Sequence, residues 1–419
     1  MISTNHKQQT THNKPELMAP AGDWTMLRTA VNNGADAVYF GLDKLNMRAK
    51  AANFTVDELP EIVAFCKEHN VKTYLTLNTI VFEEELSELE EIVIAAKKNN
   101  VDVIICSDLA VSDLCFKNQM PFCISTQSSI TNSLAADVYK RMGAVRIVLA
   151  RECSLEEIKK IRAKTDLEIE AFIHGAMCIA VSGRCFMSHH LFGKSANRGE
   201  CVQPCRREYE IIDPSIDKSL IIGEDYIMSP KDLCTIEFID QLIESGIDSF
   251  KIEGRKRAPE YVAKVVSVYR KAIDLYFSQK DGVQENLLTE EKKKELLAEL
   301  ETVYNRGFSS GFYFAVPSSE EYAGVHGSRA TTRKVYVGKV ANYFKEIEIA
   351  HIILETGEIS IDDNILIIGD TTGVVEIKIE MMNVNDKTHP TAKKGDEITL
   401  KIPTLVRRND KVYLIKQIN

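Results

Sequence analysis

From Pro15 onward, short apolar runs alternate with longer stretches whose apolar residues recur at three- and four-residue spacing, the two periods that mark buried strands and amphipathic helices. Eight runs read as strands: Glu16 to Ala19, Ala37 to Gly41, Lys72 to Leu77, Asp102 to Cys106, Phe122 to Thr126, Arg146 to Leu149, Leu167 to Ile173 and Ser249 to Glu253. Helical patterns between them include Thr25 to Asn33, Val56 to His69, Glu83 to Asn99, Ser107 to Lys117 and Leu155 to Lys164. Gly34, Asn99-Asn100 and Ser245-Gly246 fall where a helix ends ahead of the next strand. Eight strand–helix alternations with nearly continuous apolar strands predict an α/β fold, a TIM-like parallel (β/α)8 barrel. The strand ends turn polar at Asn78, Ser107, Gln127, Arg151, His174, Glu253 and Arg255, and in such a barrel these ends share one face, the face that carries active sites. Long helical patterns follow at Pro259 to Phe277 and Thr289 to Tyr304. From Arg333 the pattern changes to short β runs between Gly, Asn and Asp. The expected organisation is a disordered tail at 1–14, a barrel domain at 15–280 with a cysteine-rich insertion at 175–234, a helical connector at 281–332, and a small C-terminal β-barrel at 333–419.

Composition bounds the function. Lys plus Arg (52) against Asp plus Glu (61) gives a net charge of −9, which excludes a generally basic nucleic-acid coat but leaves room for a local basic cleft. The first residues lack an apolar core, and no apolar run reaches the roughly 18 residues of a spanning helix, so a cytoplasmic protein with no membrane partner is expected. In a reducing compartment ten cysteines are thiols rather than disulfides, and clustered ones point to metal or catalysis.

The cluster lies just after the seventh strand. Cys178, Cys185, Cys201 and Cys205 follow the spacing Cys-x6-Cys-x15-Cys-x3-Cys among glycines and basic residues, and Cys234 follows in Ser-Pro-Lys-Asp-Leu-Cys. Thiolates favour zinc or an iron–sulfur centre over hard cations, and free redox thiols are the third reading; spacing alone does not separate them. Cys66, Cys106, Cys115, Cys123 and Cys153 sit singly in apolar elements and read as core. His174 ends the seventh strand, either as a satisfied structural histidine or as an acid–base group; Glu253 and Arg255 are the other catalytic candidates. His189 and His190 read as solvent-exposed rather than as ligands. Arg151, Arg206, Arg207 and Arg255 are candidates for binding a carboxylate or RNA phosphates, with Arg184, Arg198, Lys251, Lys256 and Arg257 nearby; structural ion pairs are the bland reading. Gly307-Phe308-Ser309-Ser310-Gly311 matches G-x-S-x-G but follows a helix instead of forming a strand-to-helix elbow, and no H-E-x-x-H or phosphate-cradling loop is present.

Glu170, Phe172, Gly175, Ala176, Met177, Cys178, Gly183, Cys185, Met187 and Ser188 form a dense block that resembles the peptidase U32 family, the collagenase-like peptidases. ELMAPAGDW, GADAVYFG, the RAxxxNF pattern from Arg48 to Phe54, DSFKIEGR and VYNRGF extend the resemblance along nearly the whole chain. It implies one of two activities. The first is that of the family's tRNA-hydroxylation branch, which converts wobble uridine to 5-hydroxyuridine with prephenate as co-substrate and a [4Fe-4S] cluster; the C-terminal domain would dock tRNA. The second is a collagenase-like protease, a hydrolase with no recognisable catalytic set here. A non-catalytic, cluster-bearing partner to a related U32-family subunit is a third expectation. The resemblance places cluster ligands at Cys178, Cys185 and Cys201, with Cys234 favoured as the fourth and Cys205 as the alternative.

Overall fold

The computed structural model describes residues 13–49, 51–215, 220–223, 226, 228–280, 287–317, 321–325, 327–385 and 387–418. Residues 1–12 of the expected tail lie outside them. Eight parallel strands, β1 (Glu16–Pro20), β2 (Ala37–Gly41), β3 (Lys72–Leu77), β4 (Val103–Cys106), β5 (Phe122–Ile124), β6 (Arg146–Val148), β7 (Glu168–Gly175) and β8 (Ser249–Ile252), pair in sequence order. β8 pairs with both β7 and β1, which closes the barrel. The predicted TIM-like barrel is therefore the fold.

Helices α1 (Trp24–Asn32), α2 (Leu59–Glu68), α3 (Leu86–Lys98), α4 (Leu109–Lys117), α5 (Ser133–Arg141) and α6 (Leu155–Arg162) form the outer layer. Their starts are set by side chains just past the strand ends. Asp23, Asp108 and Asn132 accept from the backbone N–H of Met26, Ala110 and Ala135, and Ser154 with Glu157 makes a reciprocal capping box. Gly34, Asn100 and Gly246 take positive φ where a helix must turn into a strand.

The insertion after β7 holds α7 (Met187–Phe192) and a short hairpin, Ile211–Asp213 with Leu220–Gly223. The chain then returns as a strand, Asp232–Cys234, that pairs antiparallel with the upper end of β7, Leu233 opposite Gly175 and Cys234 opposite His174. α8 (Ile239–Glu244) leads into β8. α9 (Pro259–Lys280) and α10 (Glu290–Glu301) follow, and Phe308–Ser309 adds to the 232–234 strand in parallel. The G-x-S-x-G segment is thus an edge strand and turn with no elbow.

Residues from Thr332 onward form an eight-stranded sheet and a two-stranded one around a separate core that includes Val340, Ile352, Ile367, Ile398 and Val412. This part rests on α1 and α9: Thr25 Oγ1 donates to Asp370 (2.8 Å), Lys264 pairs with Glu376 (3.1 Å), and Lys334 pairs with Glu260 (2.8 Å). Among the described residues no helix is long and apolar enough to cross a membrane.

Candidate functional site

A column of charge runs through the barrel interior. Arg146 donates to Glu16 (2.6 Å) and Glu170 (3.1 Å), and Lys251 donates to the other oxygen of Glu170 (2.7 Å). Tyr74 and Tyr39 lie under the two cations at 5.0 and 4.5 Å. Glu170 is completely buried, and two cations and Ser249 surround its carboxylate oxygens.

Above Lys251 the mouth opens into a cavity of about 420 Å³, a size that suits a small molecule. Its floor and walls come from the strand ends: Tyr39, Asn78, Gln127, Arg151, Phe172, Lys251, Glu253 and Arg255. Its roof is the insertion, which contributes Met177 and the thiols of Cys178, Cys185, Cys201 and Cys205.

Burial pushes the Glu253 carboxyl up, but Arg48 above all, then Arg151 and Arg255, outweigh it and hold the group at about 2. Arg48 donates to it at 2.7 Å. Glu253 is therefore a fixed anion, not a proton donor at neutral pH. Arg255 is 3 % exposed; burial and the neighbouring Arg48 bring its guanidinium down to about 10, and its Nη2 donates to Asn46 Oδ1 (3.1 Å). Arg151 donates to the carbonyl of Ala176 (2.8 Å) and stacks on Phe172 at 4.2 Å.

The other expected basic residues do different work. Arg206 is a stitch: it donates to the carbonyls of Met177 and Pro230 and to Ser229 Oγ, which ties the roof to the returning strand. Arg207 stacks on Phe192 at 4.5 Å, outside the cavity lining. Arg198 is bound to Glu85 and Lys251 to Glu170, whereas Arg257 lies 3.8 Å from Asp232.

His174 is the first correction. Its ring is enclosed by Tyr261, Tyr269 and Phe308, and burial lowers it to about 4, so it is a neutral structural histidine behind the wall. Among the described residues no histidine lines the cavity, His189 and His190 included.

Cys234 is the second. Its strand does return to the mouth, but its side chain, like that of His174 opposite, is directed at α9: its Sγ lies 3.7 Å from Tyr269 Oη, and burial pushes the thiol up to about 12. Cys205 stands with the others instead, lining the cavity alongside Cys178, Cys185 and Cys201, and burial pushes its thiol up. Cys66, Cys106, Cys115, Cys123 and Cys153 are buried in the core.

The four roof thiols are free, and backbone N–H groups of Met187 and Gln203 point at Cys185 and Cys201 Sγ, each at 3.4 Å. Ser188 Oγ lies 3.8 Å from Cys201 Sγ. Donors aimed at sulfur stabilise thiolates, and this is the second shell that a thiolate-held centre uses. Among the described residues no three metal-binding side chains converge on a single ion. Cys178, Cys185, Cys201 and Cys205 line the same cavity, and an all-sulfur donor set is the kind a thiolate-held centre would use.

A barrel with a thiol-bearing roof over an arginine-rich mouth defines the class of this protein. Residues 22–323 match the profile of peptidase family U32. The chain belongs to that family. It is 44% identical to an uncharacterized protease of Methanocaldococcus jannaschii over 96% of this chain and 98% of that one. It is 40% identical to a collagenase of Porphyromonas gingivalis, over 95% and 97%. It is 42% identical to tRNA hydroxylation protein P1 of Bacillus subtilis, over 80% and 79%.

Sequence reasoning missed Arg48 and Asn46 as parts of the site. Both lie in the loop after β2, far upstream of the cysteines, and the signals were their place beyond a strand end and, for Arg48, its place at the head of the RAxxxNF pattern.

Proposed function

We propose that the protein is an RNA-modifying enzyme that hydroxylates wobble uridine of tRNA to 5-hydroxyuridine, with prephenate as co-substrate. The observation that carries this reading is the meeting of four free thiols with a basic, enclosed cavity at the barrel mouth. The relative named as a tRNA hydroxylation protein supports the same substrate class. Cys178, Cys185, Cys201 and Cys205 would hold a [4Fe-4S] cluster, which supplies one-electron redox chemistry when bound. The chain's own residues bind and orient: Arg151 and Arg255 face the cavity as cations, the Arg48–Glu253 pair fixes the wall, and Phe172 and Met177 exclude water.

The peptidase reading rests on the family's name and the collagenase relative. A thiol nucleophile would need a base beside it, and the described cavity lining holds no histidine. Mass spectrometry of tRNA nucleosides from a strain lacking this protein decides between the two. Loss of 5-hydroxyuridine derivatives, restored by the wild-type gene, is expected; an undiminished level in a strain with no parallel pathway rejects the proposal.

A further inference from the structure

The roof turns an apolar surface outward. Ile179, Val181, Phe186, Leu191 and Phe192 are all exposed, and Phe82 joins them from the loop after β3. Arg198 makes the join: it donates to the Ile80 carbonyl (2.6 Å) and lies over the Phe82 ring at 4.9 Å. Phe186 is 75 % exposed, Phe82 48 % and Phe192 41 %, whereas Met187 and Ser188 of α7 line the cavity. The start of α7 thus separates the cavity from bare rings outside it. Ile179 both lines the cavity and is exposed, so the two surfaces meet at a lip. Large apolar side chains gathered in water mark a surface that meets a partner.

We infer that this rim is a stacking platform for unpaired bases of an RNA loop, with Phe82, Phe186 and Phe192 as its rings. Charge selects the sign of the partner: residues 176–207 carry Arg184, Lys194, Arg198, Arg206 and Arg207 against Glu200 alone, on a chain of net charge −9. Ring chemistry selects bases. Arg207 lies over Phe192 at 4.5 Å, as Arg198 lies over Phe82, and guanidinium planes and aromatic rings are the two surfaces on which splayed bases stack. A duplex turns its base faces inward, so only single-stranded nucleotides can use such rings. The platform borders a cavity of about 420 Å³, so bases held on it flank the nucleotide presented at the mouth. This deepens the proposed function and rests on it for RNA as the partner, and it assigns loop recognition to the outer side of the roof, apart from the cavity.

The test is fluorescence anisotropy on the full-length, iron-loaded protein at fixed salt. The probes are a labelled RNA hairpin with a uridine-containing loop and a blunt RNA duplex of the same stem sequence. Phe82→Ala and Phe186→Ala should each weaken hairpin binding about fivefold to a hundredfold and leave duplex binding unchanged, and Phe186→Trp should retain hairpin affinity. The salt dependence of hairpin binding should persist in the phenylalanine variants and become shallower in Arg207→Gln. Phe186 is next to Cys185 in sequence; should its alanine variant lose iron or fail to fold, Phe82→Ala, remote in sequence from the thiols, carries the test. Unchanged hairpin affinity in the alanine variants, or an equal loss on the duplex, overturns the platform; the same variants losing adsorption to phosphatidylglycerol vesicles instead would make the rim a membrane contact. A deletion strain that keeps its 5-hydroxyuridine while the variants weaken hairpin binding sinks the proposed reaction and leaves the platform standing. A deletion strain that loses the nucleoside, and regains it from variant genes whose proteins bind the hairpin as the wild type does, sinks the platform alone.

Discussion

Glu253 shows how the mouth is wired. Its folded value near 2 lies below the ordinary 4.5, so its ionised form stabilises the fold above about pH 4.5, and that contribution is lost as pH falls towards 2. Glu253→Gln leaves Arg48 facing a neutral amide and should cost roughly 3 kcal/mol at neutral pH, with the gap to wild type more than halved by about pH 3 and nearly closed at about pH 2 in urea unfolding curves. A gap that stays constant with pH would mean that the carboxylate is not held by its cations. His174 also has a lowered folded value, about 4 against 6.5, so stability drains away as pH falls from 6.5 to 4. For the thiols, Cys178→Ala, Cys185→Ala, Cys201→Ala and Cys205→Ala should each abolish the brown colour and most of the iron of anaerobic protein, about four per chain. Cys234→Ala should keep both and lose only core packing, read as a lower melting temperature. That Cys178, Cys185 and Cys201 would meet at one place was legible because clustered thiols in a polar loop have few other uses. That Cys205 and not Cys234 lines the cavity with them was not, because it turns on which side of a three-residue strand faces α9, a matter of register with β7 that spacing does not encode.

The roof is held as an element by a few close approaches. Gly199, at φ +84°, lets the insertion lie on the loop after β2; a Cβ there would come within 2.4 Å of the Asn46 carbonyl. Arg206 and the Arg198–Glu85 pair anchor it at two further points. Gly199→Val should therefore lift the roof without touching a thiol. Its expected signature is loss of iron with little change in far-ultraviolet circular dichroism; retained iron would show that the approach is dispensable. The barrel itself was readable because several helices open on a capping side chain and α1 to α5 each run into a left-handed residue, local signals that agree with the period. The 232–234 strand and its Phe308–Ser309 neighbour were not, since strands of three and two residues carry no periodicity of their own.

At the scale of the whole molecule, a chain of net charge −9 concentrates basic side chains at one mouth, so attraction for a polyanion is local and screened by salt. The C-terminal sheets have their own core and meet the barrel on α1 and α9, away from the thiols. A chain ending at residue 332 should still bind iron, and gel shifts across a salt series should show weaker tRNA binding than the intact protein. Equal binding would remove the C-terminal part from RNA recognition.

The charged column inside the barrel also bears on how the protein is made. Glu170 arrives on β7 with Arg146 already present on β6, yet its second cation, Lys251, comes about eighty residues later on β8. A nascent chain emerging from the ribosome thus carries a half-neutralised carboxylate where the barrel axis must go, and sealing that axis before β8 appears would strand the charge. Closure of the barrel by β8 is thus also the step that brings Lys251 to Glu170.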